Sequence, residues 1–156
     1  MIEMDIPGFG PVHISHLVSD FTGTLSVDGH LLPGVKDGLN QLSEIMTIHI
    51  LTADTFGRAR EALAGVSCQI HILTGPDHDV QKEEYVIKID PEKVIALGNG
   101  NNDRRMLKTA RVGIAVTEEE GCAVEAIMAA DIHVRSALSA ITLLLNPLRF
   151  KATLRF

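Results

Sequence analysis

The chain has 156 residues, 46% of them hydrophobic and 22% charged, with a formal net charge of −6. That length suits one domain over residues 1–156 with a single substantial core. The negative balance argues against nucleic acid or an anionic membrane surface as partner, since both want a basic face. Five Phe, one Tyr and no Trp leave little for stacking on bases. No apolar run reaches the roughly 18 residues of a membrane span. The opening residues, MIEMDIPGFGPVHIS, lack a basic-then-apolar signal pattern, so a cytoplasmic location is expected. Cys68 and Cys122 show no metal or redox spacing and read as ordinary thiols.

In chain order, His16–Asp20 (HLVSD) reads as the first strand: apolar, β-branched and short. Ser26–Leu32 (SVDGHLL) centres on Asp28-Gly29, a strong hairpin-turn signal, and predicts a small β-flap. A helix is expected over Gly34–Ile45, with Pro33-Gly34 at its entry. Strand Thr47–Ala53, helix Thr55–Ala64, strand Cys68–Thr74 and helix Val80–Ile87 follow. Then come strand Lys93–Gly98, helix Asp103–Thr109, strand Val112–Val116, helix Gly121–Ala129 and strand Asp131–Val134. A last helix, Ser136–Leu145, ends before Asn146-Pro147. Strands alternating with helices, the strands apolar throughout, imply a parallel sheet in an α/β fold.

Asp20, Thr52 and Asn99 each close a predicted strand, and ligands of open α/β sheets bind at the carboxyl ends of the strands. Asp20-Phe21-Thr22-Gly23-Thr24-Leu25 places a carboxylate at the end of a buried strand, before a glycine-containing turn. Such a carboxylate can attack phosphorus. The turn's N–H groups and the Thr24 hydroxyl can hold phosphate oxygens.

This hexapeptide resembles the first motif of the haloacid dehalogenase-like superfamily, Asp-x-Asp/Thr-Gly-Thr-Leu/Val. The form with Thr in third place looks most like the phosphorylation domain of P-type ATPases. Ile50-Leu51-Thr52-Ala53-Asp54 resembles the second motif. Gly98-Asn99-Gly100-Asn101-Asn102-Asp103 resembles the fourth, Gly-Asp-Gly-x-Asn-Asp, whose acids hold Mg²⁺. VGIAV and AADIHV resemble the segments that follow it in P-type ATPases, so the likeness runs from about His16 to Val134. It implies a three-layer, Rossmann-like core with strand order 3-2-1-4-5 and no room for a cap domain.

By the same resemblance the catalytic residues are Asp20 as nucleophile, Thr22, Thr52 and Lys82. Gly23, Thr24, Thr52, Ala53 and Lys82 are the phosphate-binding set, and Asp20, Thr22, Asn99 and Asp103 the Mg²⁺ set. Lys82 is preferred over Lys88 and Lys93 because it opens a helix whose first turn should face the crevice. The expected substrate is a small phosphorylated molecule, and a homo-oligomeric neighbour is one way for a capless site to be completed.

Two positions depart from the pattern. Thr22 stands where superfamily phosphatases carry a second Asp as general acid and base, and a hydroxyl cannot replace it. Asn99 removes one charge from the metal site while leaving an amide oxygen. The expected function is therefore a slow Mg²⁺-dependent phosphatase. The alternative is a regulatory, phosphate-sensing module of the same fold that has lost turnover. His49 and His71, inside predicted strands, read as satisfied packing residues. His30 and Asp28 on the flap either face substrate or, the preferred reading, are exposed turn residues, and Glu118–Glu120 reads as a solvated acidic helix entry. The apolar Ser136–Leu145 stretch either covers the sheet or meets a subunit, and the Arg149–Arg155 tail docks on the body or on a partner.

Overall fold

A computed structural model of the chain describes residues 1–54 and 57–156. It opens on a two-stranded antiparallel hairpin, β1 (Ile2–Ile6) and β2 (Gly10–Ile14), that was not anticipated. Strand β3 (His16–Asp20) follows, then a flap of β4 (Ser26–Val27) and β5 (His30–Leu31). Helix α1 (Val35–Ser43) and strand β6 (Thr47–Thr52) come next, then α2 (Ala59–Ala62) and β7 (Gln69–Ile72). After α3 (His78–Lys88) come β8 (Val94–Gly98), α4 (Arg104–Thr109), β9 (Val112–Val116), α5 (Val124–Ala129) and β10 (Ile132–Val134). Helices α6 (Ala137–Leu144) and α7 (Pro147–Leu154) end the chain.

Six strands form one parallel sheet in the order β10-β9-β8-β3-β6-β7. This is the anticipated 3-2-1-4-5 arrangement with the last predicted strand added at the edge. Helices cover both faces, giving three layers. One core gathers Leu17, Ile48, Ile50 and Ile95 beneath α1, α6, α7 and the N-terminal hairpin. The other gathers Val18, Leu51, Ala96 and Met106 beneath α3, α4 and α5. Burial of strands on both faces explains their unbroken apolar pattern; each such side chain contributes about 1.5–3 kcal/mol.

Close helix packing depends on Gly38. A β-carbon there would lie 2.6 Å from Ile141 Cγ2, so only glycine lets α1 settle onto α6. The apolar face of α6 (Ala137, Ala140, Ile141, Leu144) is thereby buried, which resolves the two readings of that stretch in favour of covering the sheet. The tail is helical: Pro147 sits in the first turn of α7, Phe150 is buried, and the Phe156 N–H donates to the Pro7 carbonyl at 3.1 Å. It docks on the N-terminal hairpin.

Two helices are shorter than anticipated. Of the Thr55–Ala64 helix, only Ala59–Ala62 is helical among the described residues, with Asp54 Oδ1 accepting the Arg58 and Ala59 N–H groups at 2.9 Å each; Thr55 and Phe56 lie outside the described residues. The Gly121–Ala129 helix begins at Val124, because Glu118–Gly121 forms a tight turn instead. The flap turns through Asp28 and Gly29 with φ of 50° and 78°, both in the left-handed region that two-residue hairpins require.

Candidate active site

Sheet register brings the sequence candidates together. Asp20 pairs with Leu51 on one side, and Ser19 with Leu97 on the other. The ends of the three strands therefore present Asp20, Thr52 and the Gly98–Asn99 turn along one edge, where β3 is the central strand.

A charged trio lies beneath that edge. Lys82 Nζ, on α3 and only 1% exposed, donates to Asp20 Oδ1 at 2.8 Å and to Asp103 Oδ1 at 2.6 Å. Asp103 Oδ2 accepts the backbone N–H groups of Asn99 (3.0 Å) and Gly100 (2.9 Å). Gly98 makes room for this: a β-carbon there would stand 2.4 Å from Asp103 Cβ. The helix carrying Lys82 is fixed from outside, since Arg105 of α4 reaches Asp79 Oδ2 at 3.0 Å and Glu83 Oε2 at 3.1 Å.

Two carboxylates share one ammonium in a buried place. Burial and the neighbouring Asp103 charge push Asp20 up to about 7, against the pull of Lys82. For Lys82 burial opposes the charge, but Asp20 and Asp103 outweigh it and hold the ammonium above the usual lysine range. The trio therefore carries an excess of negative charge whenever Asp20 is ionised.

Thr24, fully buried, lies 3.4 Å from Asp20 Oδ2 and 3.1 Å from Asn99 Oδ1 through its hydroxyl, which can donate to either. Asn99 Nδ2 donates to the Gly121 carbonyl at 3.1 Å. A carbonyl only accepts, so the amide is oriented with its oxygen toward the Thr24 hydroxyl. Thr52 is 1% exposed, and its hydroxyl oxygen accepts the Asp54 N–H at 2.9 Å, leaving its proton to donate toward the crevice. Ala53 follows it, half-buried, at the mouth.

Three groups already have partners within the protein. The N–H groups of Gly23 and Thr24, expected to hold phosphate, donate inside the turn to Ser26 O at 2.8 Å and Phe21 O at 3.3 Å. The Thr24 hydroxyl lies between Asp20 and Asn99. Asp103, expected among the metal ligands, places Oδ1 on Lys82 Nζ and Oδ2 on the Asn99 and Gly100 N–H groups. Glu118–Glu120 is no simple solvated helix entry: Glu118 Oε1 accepts the Ala137 N–H at 2.7 Å, and Glu120 Oε1 accepts the Asp28 N–H of the flap at 3.0 Å. Sequence reasoning also missed Arg58, whose Nη1 lies 2.9 Å from His30 Nε2 beside the flap. Its signal was only a basic residue shortly after the Thr52 motif.

Comparison with known proteins decides the family. A model described as haloacid dehalogenase-like hydrolase matches residues 79–130, which include Lys82, Asn99 and Asp103. The chain belongs to the haloacid dehalogenase-like hydrolases. An uncharacterised protein of Methanocaldococcus jannaschii is 48% identical over 64 residues, covering 41% of this chain and 69% of that protein. Human phospholipid-transporting ATPase ID is 31% identical over 83 residues, 53% of this chain but 7% of the pump. Among solved structures, a 3-deoxy-D-manno-octulosonate 8-phosphate phosphatase from Moraxella catarrhalis, in complex with magnesium ion, phosphate ion and the sugar acid, superposes with a TM-score of 0.67. It shares 21% identity, covering 86% of this chain and 87% of that one. A cobalt-bound deoxy-D-mannose-octulosonate 8-phosphate phosphatase from Haemophilus influenzae gives a TM-score of 0.72 at 13% identity, covering 88% and 90%. At these identities the solved structures establish the shared haloacid dehalogenase-like fold. No helix among the described residues is long and apolar enough to cross a membrane.

Proposed function

We propose that this hydrolase is a Mg²⁺-dependent phosphatase that transfers the phosphoryl group of a small phosphorylated molecule to Asp20 and then to water. The observation that carries the reading is the buried Lys82 ammonium, held 2.8 Å from Asp20 Oδ1 by Asp103. A buried lysine shared between two carboxylates is a poor stability device. It is well placed to keep one carboxylate ionised and to neutralise a phosphoryl group arriving on it.

The donor set fits a magnesium ion. Asp20 Oδ2, the Asn99 amide oxygen on the same Thr24 hydroxyl and the Thr22 backbone carbonyl are hard oxygens, and Mg²⁺ commonly takes only one or two carboxylates beside water and phosphate. Bound there, the ion would supply charge neutralisation at the transferring group. Asp20 supplies the attacking oxygen, Lys82 and the Thr52 hydroxyl hold phosphoryl oxygens, and Thr24 fixes the rotamers of Asp20 and Asn99. The first half-reaction forms a bond from Asp20 oxygen to phosphorus as the ester P–O bond breaks; the second returns the Asp20 carboxylate as water attacks.

The test is hydrolysis of an aryl phosphate with Mg²⁺, with EDTA, and by Asp20→Asn protein. Mg²⁺-dependent hydrolysis lost in the variant is expected. Activity unchanged by both interventions contradicts the reading, and phosphate binding without turnover would favour a sensing module.

A further inference from the structure

Thr22 leaves the site without the carboxylate that would move protons during the two half-reactions, since a hydroxyl is far too weak an acid to do so. The structure brings one from elsewhere in the chain. Gly23, next to Thr22, has φ of 78° and no side chain, and a β-carbon there would stand 2.9 Å from Glu120 Oε2 and 2.5 Å from Asn99 Nδ2. Glu120 therefore lies directly over the nucleophile loop, beside the same Asn99 that shares the Thr24 hydroxyl with Asp20.

Several contacts keep it there. Its Oε1 accepts the Asp28 N–H at 3.0 Å, which ties the carboxylate to the flap. Its loop is pinned to the crevice by Asn99 Nδ2 on the Gly121 carbonyl (3.1 Å) and by the Ala123 N–H on the Asn99 carbonyl (2.8 Å). Glu120 sits in the tight Glu118–Gly121 turn, which closes through Gly121 at φ of 81°. Its neighbour Glu118 is turned away to α6. Glu120 remains solvent-exposed, as a group exchanging protons with substrate and water must be.

We propose that Glu120 is the general acid and base of this enzyme, delivered by the loop after β9 in place of a carboxyl at position 22. The role rests on the phosphatase reading above. In the first half-reaction the protonated Glu120 gives its proton to the departing alcohol oxygen as the ester P–O bond breaks. In the second, the Glu120 carboxylate takes a proton from water while the water oxygen bonds to phosphorus. The bond between phosphorus and Asp20 breaks with its electron pair returning to Asp20, and inorganic phosphate leaves.

The test is rapid-quench measurement of the phosphoenzyme with p-nitrophenyl phosphate and saturating Mg²⁺. Wild-type protein is compared with Glu120→Gln, Thr22→Asp and the double variant. Glutamine keeps an acceptor for the Asp28 N–H, so the tether survives and only proton transfer is lost. Glu120→Gln is expected to slow phosphoenzyme breakdown about 10²-fold and to let the intermediate accumulate, the size of effect general acid–base groups supply. In the Thr22→Asp background, where a carboxyl is supplied locally, the same change is expected to alter breakdown by less than about threefold, the non-additivity of two groups sharing one task.

Unchanged breakdown in Glu120→Gln overturns the assignment. So does an equal slowing in both backgrounds, which would mark a structural role, or a defect that excess Mg²⁺ repairs, which would mark a metal ligand. Failure of the phosphatase reading is distinct: wild-type and Asp20→Asn proteins would then show the same absence of phosphoenzyme, and the role of Glu120 falls with it.

Discussion

Two polar networks join helix α3 to the sheet, one buried and one half-buried, and they are built on opposite principles. At the crevice, Lys82 is shared by Asp20 and Asp103, two negative groups around one positive group. Away from the crevice, His16 Nδ1 meets His49 Nε2 at 3.0 Å, and His49 Nδ1 meets the Tyr85 hydroxyl at 2.9 Å. That hydroxyl in turn meets His71 Nε2 at 2.6 Å. This second chain is satisfied without any formal charge: either direction of proton donation along it gives each nitrogen and the hydroxyl a partner. The first holds a charge imbalance that only a further cation or a proton can relieve. A polar network that serves packing is balanced at rest, whereas one that serves chemistry is left unbalanced until its ligand arrives.

Replacing Lys82 by Met tests the unbalanced network and has the largest expected effect. It removes the only positive member, and breaking a buried ion pair from one side costs about 3–5 kcal/mol. Chemical denaturation checks this, and the double variant Lys82→Met/Asp20→Asn is expected to recover part of the loss because it no longer confronts two bare carboxylates.

Tyr85→Phe tests the balanced one. It leaves His49 Nδ1 and His71 Nε2 without their partner, at about 1–3 kcal/mol of stability, and leaves kcat of the folded enzyme unchanged. The histidines add a pH signature. Burial, with His16 and His71 nearby, lowers His49 to about 4 from an ordinary 6.5. Between those values the unfolded chain binds the proton more readily. The stability that neutral His49 contributes is therefore complete above about pH 6.5 and declines as pH falls toward 4. Urea midpoints measured across that window are expected to fall with pH less steeply in His49→Gln protein.

Asp20→Asn is the smaller and opposite effect. Asp20 is raised from 3.8 to about 7 in the fold, so it costs stability above pH 7, and that cost fades as pH falls toward 4. Asparagine can still accept from Lys82. A gain of about 1–2 kcal/mol at pH 8, shrinking toward pH 5, corresponds to a thermal midpoint raised by about 3–6 °C. A variant less stable at pH 8 would show that the trio is balanced after all.

How much of this was legible in the sequence follows the range of each interaction. Asp20, Thr52 and Asn99 could be placed because each ends an apolar run, and parallel strands carry their ends to one edge. Lys82 could be chosen because it opens a helix. The alternation of Ile2, Met4 and Ile6 against Val12 and Ile14 carried the first hairpin, but Pro7, Gly8, Gly10 and Pro11 masked it. Pro11 is tolerated because the hairpin is only two strands wide. Pro147 read as a stop for the preceding helix when it also starts the next. The bond between Glu120 and Asp28 spans 92 positions, and no local pattern announces such a meeting. The same holds for Tyr85, whose partners His49 and His71 lie on two different strands.

The central claim is that Asp20 accepts the phosphoryl group. Acid-quenching the enzyme during turnover of a phosphomonoester with Mg²⁺, followed by peptide mass mapping, tests it most directly. The phosphoryl group is expected on the peptide containing Asp20, labile to hydroxylamine and missing from Asp20→Asn protein. Turnover that proceeds with no phosphoryl group on that peptide, or with one on another residue, would contradict it.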